Sequence, residues 1–105
     1  MTRAAIELNF ANAIIQANKL ESCADNMRKV SSGDIRTARN QLQCVWDGNE
    51  ADLFVNKMDL TAENILKIAA RLDQVAQTLR SVAKTYRDAE LKALEIATQR
   101  TVVIV

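Results

Sequence analysis

Proline and histidine are absent from this sequence, glycine occurs only as Gly33 and Gly48, and aromatic residues make up 4% of it. A sheet protein of 105 residues needs several turns, and turns draw on Gly, Pro, Asn and Asp. Two glycines and no proline do not supply them, so the chain is expected to be all-α. The scarcity of aromatics leaves a core of Leu, Ile, Val and Ala, which suits thin, repetitive helix seams. With no histidine, and Cys23 and Cys44 as the only cysteines, the usual Cys/His zinc site, a His-based triad and a Cys-His dyad are all excluded. The carboxylates are spread along helix faces with no pocket implied, so no enzyme, cofactor, metal or small-molecule substrate is expected.

A surplus of either charge is lacking too. Fourteen Lys and Arg stand against thirteen Asp and Glu, evenly on both sides of Gly48, so no basic face is available for nucleic acid. No apolar segment approaches the ~20 residues of a membrane span. No basic stretch leads into an apolar run with a small-residue cleavage site, and the expectation is a leaderless soluble protein.

What the sequence does have is spacing. From Ala51 the residues Phe54, Met58, Thr61, Ile65, Ile68, Leu72, Val75, Leu79, Val82, Tyr86, Ala89, Ala93 and Ile96 follow in unbroken steps of three and four. Such a seam predicts one helix over about 50–99, on the order of 75 Å long. Before it, Ile6, Phe10, Ala13, Ala17, Leu20, Ala24, Met27 and Ser31 follow the same rule, then an extra step of four leads to Ile35, Ala38, Leu42 and Val45. That predicts a first helix over about 4–46, with a kink near residues 31–34 where the stutter meets Ser31, Ser32 and Gly33. The alternative is a break, with Ser31 or Ser32 capping a new helix.

Between the seams, Trp46-Asp47-Gly48-Asn49-Glu50 reads as a turn over 46–49. Gly48 would end the first helix, and Asp47 with Glu50, or Asn49 with Asp52, would cap the second. A tight turn makes the helices antiparallel, one hairpin domain over residues 1–100. A hairpin leaves apolar surface uncovered, and beside its seam the second helix carries Val55, Ala62, Ala69, Ala76, Ala83, Glu90 and Ala97 at intervals of seven. Small residues at that spacing admit another helix closely, so this row is expected to be a second packing surface. Dimerisation into an elongated four-helix bundle would cover it, with Phe10, Leu20, Met27, Leu42, Ile65, Leu72, Leu79, Ala69, Ala76 and Ala83 as the hairpin and dimer seam. The alternative is that the alanines serve helix propensity on a solvated face.

Trp46-Asp47-Gly48 is a Trp-x-Gly tripeptide set midway in a chain of about a hundred residues between two long amphipathic helices. This arrangement resembles the WXG family of small helical hairpins, early-secreted-antigen-like substrates of the type VII secretion system, over Ile6 to about Gln99. The resemblance implies a C-terminal export signal, Tyr-x-x-x-Asp/Glu, which Tyr86-Arg87-Asp88-Ala89-Glu90 fits, with Ala93 and Ala97 at the looser apolar positions. Glu90 is also the one residue that interrupts the alanine row. Its alternative role is an ordinary helix glutamate paired with Arg87, Lys84 or Arg80. Trp46, at the edge of the seam beside Val45, either closes the end of the bundle or stays part-exposed as a recognition anchor.

Within one chain Tyr86 lies roughly 57 Å along the helix from Trp46, so the two motifs would meet only in a dimer of antiparallel hairpins, as one composite signal. The resemblance therefore implies a protein made in the bacterial cytoplasm and secreted as a folded dimer through a membrane-bound ATPase of the FtsK/SpoIIIE type, with the virulence association of such substrates. A homodimer is the first expectation, a heterodimer with another small WXG protein the second. Two alternatives remain open: an adaptor or chaperone-like partner of a larger LXG-type toxin effector, and a generic coiled-coil interaction module.

Cys23 and Cys44 lie about 31 Å apart on one helix, too far for a disulfide between them. Cys23 is expected as a reduced, packed thiol beside the seam, and Cys44 as the more exposed. Thr101-Val102-Val103-Ile104-Val105 leaves the heptad pattern and is β-branched throughout, so residues 101–105 are read as a tail, extended or frayed.

Overall fold

A computed structural model describes the backbone of residues 2–104 and the side chains of residues 2–100. It contains α1 (Arg3–Lys29), a π-helical turn (Val30–Ile35), α2 (Arg36–Val45) and α3 (Asn49–Ile104), with no strand among the described residues. α3 continues past the expected end near residue 99. β-branched residues cost only a few tenths of a kcal/mol each in a helix already nucleated, so the backbone of 101–104 stays helical where a tail was expected; Val105 lies outside the described residues.

The chain divides into two compact units, Leu20–Gln74, and Met1–Lys19 with Val75–Val105. In the first, the end of α1, the π turn and α2 run antiparallel to the start of α3: Arg28 pairs with Asp73, Ser31 with Ala62, and Arg39 with Asp59. Ala24, Ser31, Ala51, Val55, Ala62 and Ala69 are its buried residues. In the second, Asn18 accepts from Arg80 at 2.7 Å and Phe10 lies under Arg87, again antiparallel, with Ile6, Ala17 and Ala76 buried. Thr2 caps α1, its Oγ1 accepting from the Ala5 N–H at 3.1 Å.

The first-helix seam follows its expected course to Ser31: Ile6, Ala17, Ala24 and Ser31 are buried, and Phe10, Ala13, Leu20 and Met27 half-buried. Beyond it the expectation fails. The extra step of four falls not at a break but at a π turn, which winds one residue more than the α turn it replaces. That residue rotates everything after it by about 100°. Ile35 and Leu42 are therefore only half-buried, Ala38 is exposed, and Val45 is 82% exposed. Arg39 takes the inward place, its guanidinium on the Asp59 carboxylate at 2.8 and 3.3 Å.

α3 turns a different face inward from the one expected. The alanine row is not a second packing surface but the hairpin seam itself, with Val55, Ala62, Ala69 and Ala76 buried and Ala83 half-buried. Beside it Met58, Ile65, Leu72 and Leu79 are half-buried. The row left uncovered is the other half of the expected seam, where Phe54, Ile68, Val75, Val82 and Ile96 stand exposed. Small side chains on the facing rows let the helix axes approach toward the short end of the usual range of about 8–10 Å.

A seven-residue repeat also drifts about 20° per heptad on an α-helix. From Ala51 to Tyr86 that amounts to about 100°, one residue position. Tyr86, Ala89, Ala93 and Ile96 consequently face outward, while Arg87, Glu90, Leu91 and Leu94 are half-buried.

Candidate functional site

α2 ends at Val45, and Trp46 is extended (φ −131°, ψ 129°) with its N–H still bonded to the Leu42 carbonyl at 2.9 Å. Gly48 (φ 109°) follows. It opens α3 rather than closing the first helix: its carbonyl accepts from the Asp52 N–H at 3.0 Å. Asp47 spends its carboxylate on the Gly48 N–H at 2.9 Å instead of on a first-turn amide of α3, while Glu50 and Asp52 place negative charge at the positive end of that helix. A Cβ at Gly48 would meet nothing within 4 Å, so only the backbone angle demands glycine.

The Trp46 ring lies 6.0 Å from the Phe54 ring at 52° between planes, and Trp46 remains 41% exposed. The ring thus packs on one side and is open to solvent on the other. Val45, Leu53, Phe54 and Leu60 are exposed in the same unit, an apolar end that the rotation after the π turn enlarges.

Tyr86 and Glu90 sit one helical turn apart on α3. Tyr86 is 60% exposed and Glu90 half-buried. A hydrogen bond to the Glu90 carboxylate, reinforced by its charge, holds the Tyr86 hydroxyl above the usual tyrosine range. Arg87 turns the other way, its guanidinium 4.1 Å above the Phe10 ring and its Nε and Nη2 on the Asp88 carboxylate at 3.2 Å. Of the other expected seam residues, Phe10, Leu20, Met27, Leu42, Ile65, Leu72, Leu79 and Ala83 are half-buried, and Ala69 and Ala76 fully buried.

Sequence reasoning missed the polar flank. Asp59, Asp73, Arg80 and Arg87 stand on one row of α3 at intervals of seven or fourteen, and meet Arg39, Arg28, Asn18 and Phe10 in turn. Hydrogen bonding to Asp73 lifts the Arg28 guanidinium further above its ordinary value against partial desolvation, so it stays charged. Charges at multiples of seven just outside an apolar stripe, with Leu66 the one gap from Asp59 to Arg87, were the signal for this row. It closes one side of the helix pairing with polar clasps, and the exposed Phe54 row lies on the other side.

Cys23 and Cys44 are free thiols, and both are exposed, so Cys23 is not the packed residue expected. A polar cleft of about 360 Å³ opens between Arg36, Arg39, Asp59 and Glu63. Among the described residues no group of three or more Cys, Asp or Glu converges to hold a metal, and no helix is long and apolar enough to cross a membrane.

These features define a class of protein, an antiparallel pairing of long helices joined by a Trp-x-Gly turn. The family model for WXG100, described as proteins of 100 residues with WXG, matches residues 5–91, and the chain belongs to that family. No curated protein and no solved structure matches it. WXG100 members are small helical proteins of the type VII secretion substrate kind, are not known enzymes, and generally form dimers with one another.

Proposed function

We propose that this chain is a type VII secretion substrate, made in the bacterial cytoplasm and exported as a folded dimer through a membrane-bound ATPase of the FtsK/SpoIIIE type, with Trp46-Asp47-Gly48 and Tyr86 to Glu90 as its composite signal. The observation that carries this reading is the pairing of Tyr86 with Glu90. Tyr86 stands 60% exposed on the outward side of α3 with Glu90 half-buried one turn further on, near enough for the carboxylate to raise the hydroxyl above the usual tyrosine range. Trp46, anchored on Phe54 yet open to solvent, supplies the second, apolar element.

The dimer forms on the open flank. Phe54, Ile68, Val75, Val82 and Ile96 are the large apolar residues that the helix pairing leaves out, and a second copy or another small WXG protein covers them in a four-helix bundle. In antiparallel packing of two hairpins, the Trp-x-Gly turn of one copy approaches Tyr86 and Glu90 of the other.

Export from a host with the secretion system tests the reading. Glu90→Gln and Trp46→Ala are each expected to abolish secretion while helix content and native mass stay those of the wild type. Wild-type protein retained wholly in the cytosol of such a host would sink the proposal, and export of a monomeric variant at the dimer's level would remove the composite signal from it. Native mass, measured alone and with candidate partners, separates a homodimer from a heterodimer or from an adaptor carrying a larger effector.

A further inference from the structure

Tyr86 and Glu90 act as a recognition pair only if the helix that carries them is held at one rotation. In the unit formed by Met1–Lys19 and Val75–Val105 little apolar burial is available to do this. Beyond the half-buried Ala83, no residue of α3 with a described side chain is fully buried, and the alanine row ends in Glu90 and the exposed Ala97. Among the described residues of this unit Ile6 is the one large apolar side chain that is fully buried, beside Ala17 and Ala76, so few deep knobs stop the helix turning about its own axis.

An aromatic contact in this stretch is made from inside the motif. Arg87, 25% exposed, lays its guanidinium on the Phe10 ring at 4.1 Å, and Asp88 engages the same guanidinium through Nε and Nη2. A planar cation fixed by a ring face and a carboxylate has little freedom left. It points α3 at α1 along the Arg87 direction. With about 100° per residue, Tyr86 then lies about 100° to one side of that direction and Glu90 about 60° to the same side. Their exposures follow that order, with Arg87 inward, Glu90 half-buried and Tyr86 most exposed.

We propose that Arg87 is a positioning residue of the export signal: stacked on Phe10 and held by Asp88, it sets the direction in which Tyr86 and Glu90 face the secretion machinery. This rests on the export reading above. Two of the three positions that the motif leaves undefined thus do structural work in this chain, and Phe10, 77 positions before Arg87 in the numbering, belongs functionally to the signal.

The test follows the secreted fraction of full-length variants, with helix content, native mass and thermal midpoint measured on each. Arg87→Lys keeps the charge and loses the planar stack, and Phe10→Leu keeps an apolar side chain and loses the ring. Each is expected to lower secretion several-fold at wild-type helix content and mass, and the double variant to fall no further than the worse single. Phe10→Trp, which keeps a ring face for the cation, is expected to secrete as wild type. Wild-type secretion of both Arg87→Lys and Phe10→Leu, beside a Glu90→Gln variant that stays in the cell, would overturn the positioning role and leave the export reading intact. A double variant reduced by the product of the two single effects would overturn the shared contact. Glu90→Gln secreted as wild type would remove the export reading itself, and this role with it. Should Arg87→Lys lose helix content, Phe10→Leu and Phe10→Trp decide the matter.

Discussion

Ala69→Leu tests directly which face of α3 meets the first helix. Ala69 is fully buried, in the row that the structure turns inward. Leucine adds three carbon atoms where the helices are spaced by alanine, and overpacking of this kind costs typically about 1–3 kcal/mol. Taking about 2 kcal/mol, and about 4–8 °C of Tm per kcal/mol for a domain near 100 residues, the melting temperature should fall by about 8–16 °C. The internal control is Ala70→Leu. The same atoms are added one position on, where Ala70 is exposed, and the change should stay within about 0.5 kcal/mol. Thermal unfolding followed by far-ultraviolet circular dichroism, at matched protein concentration, gives the comparison. If the alanines were solvated and present for helix propensity alone, both variants would shift stability by only a few tenths of a kcal/mol. Indistinguishable melting of Ala69→Leu and Ala70→Leu would refute the inward placement of the row.

The two glycines should respond in opposite senses in urea titrations. Gly48→Ala is expected to cost about 1–3 kcal/mol, because its φ of 109° is left without glycine's freedom. Gly33→Ala, in helical backbone with open space at its Cβ, should gain about 0.5–1 kcal/mol; a loss at Gly33 would contradict the open space. Ser31→Ala removes the buried hydroxyl that donates to the Ala62 carbonyl at 2.7 Å, and should lower the urea midpoint by the equivalent of about 1 kcal/mol without changing the slope. Tyr86 is the sole tyrosine, so tyrosinate absorbance reports it alone. Its midpoint should lie above the ordinary value of about 10 and return toward it in Glu90→Gln. A folded-state value raised this way means that any stability the contact contributes is present below about pH 10 and lost as the pH rises through the folded-state midpoint. Coincident titrations of wild type and Glu90→Gln would deny the hydrogen bond.

The helices and the turn were legible because each rests on one local rule. Steps of three and four from Ile6 to Ser31 left no other face to bury, and with no proline a helix reaching from Ala51 past Ile96 had nothing to stop it. The inward face of α3 was not legible for the opposite reason. Three neighbouring rows, headed by Phe54, Ala51 and Val55, are all largely apolar, so a pattern of residue types does not select two of them. Selection comes from closeness of approach, which favours the alanines, and from the drift that carries Tyr86 out and Arg87 in. The stutter at Ser31 was visible, but its resolution was not: a bend, a break and a π turn answer the same spacing. Of the candidate site, Trp46, Gly48, Tyr86 and Glu90 could be read off as a motif, whereas the Phe10–Arg87 contact joins residues that no local window contains.

The π turn also makes chain length a variable. Deleting one residue between Val30 and Ile35 would close the turn with ordinary α-helical bonds and leave α2 facing as it does, whereas rewinding the six residues as α-helix without a deletion would swing α2 by about 100°. Ala38, Leu42 and Val45 would then occupy the inward place now held by Arg39, exchanging a salt-bridged clasp for an apolar row and carrying Trp46 to another face. The winding of Arg3–Lys29 and of Asn49–Ile104 would not change. The same deletion within α1 would instead turn Ala17 or Ala24 out of the seam. One hexapeptide therefore decides whether the Trp-x-Gly end of the molecule presents its apolar surface or buries it.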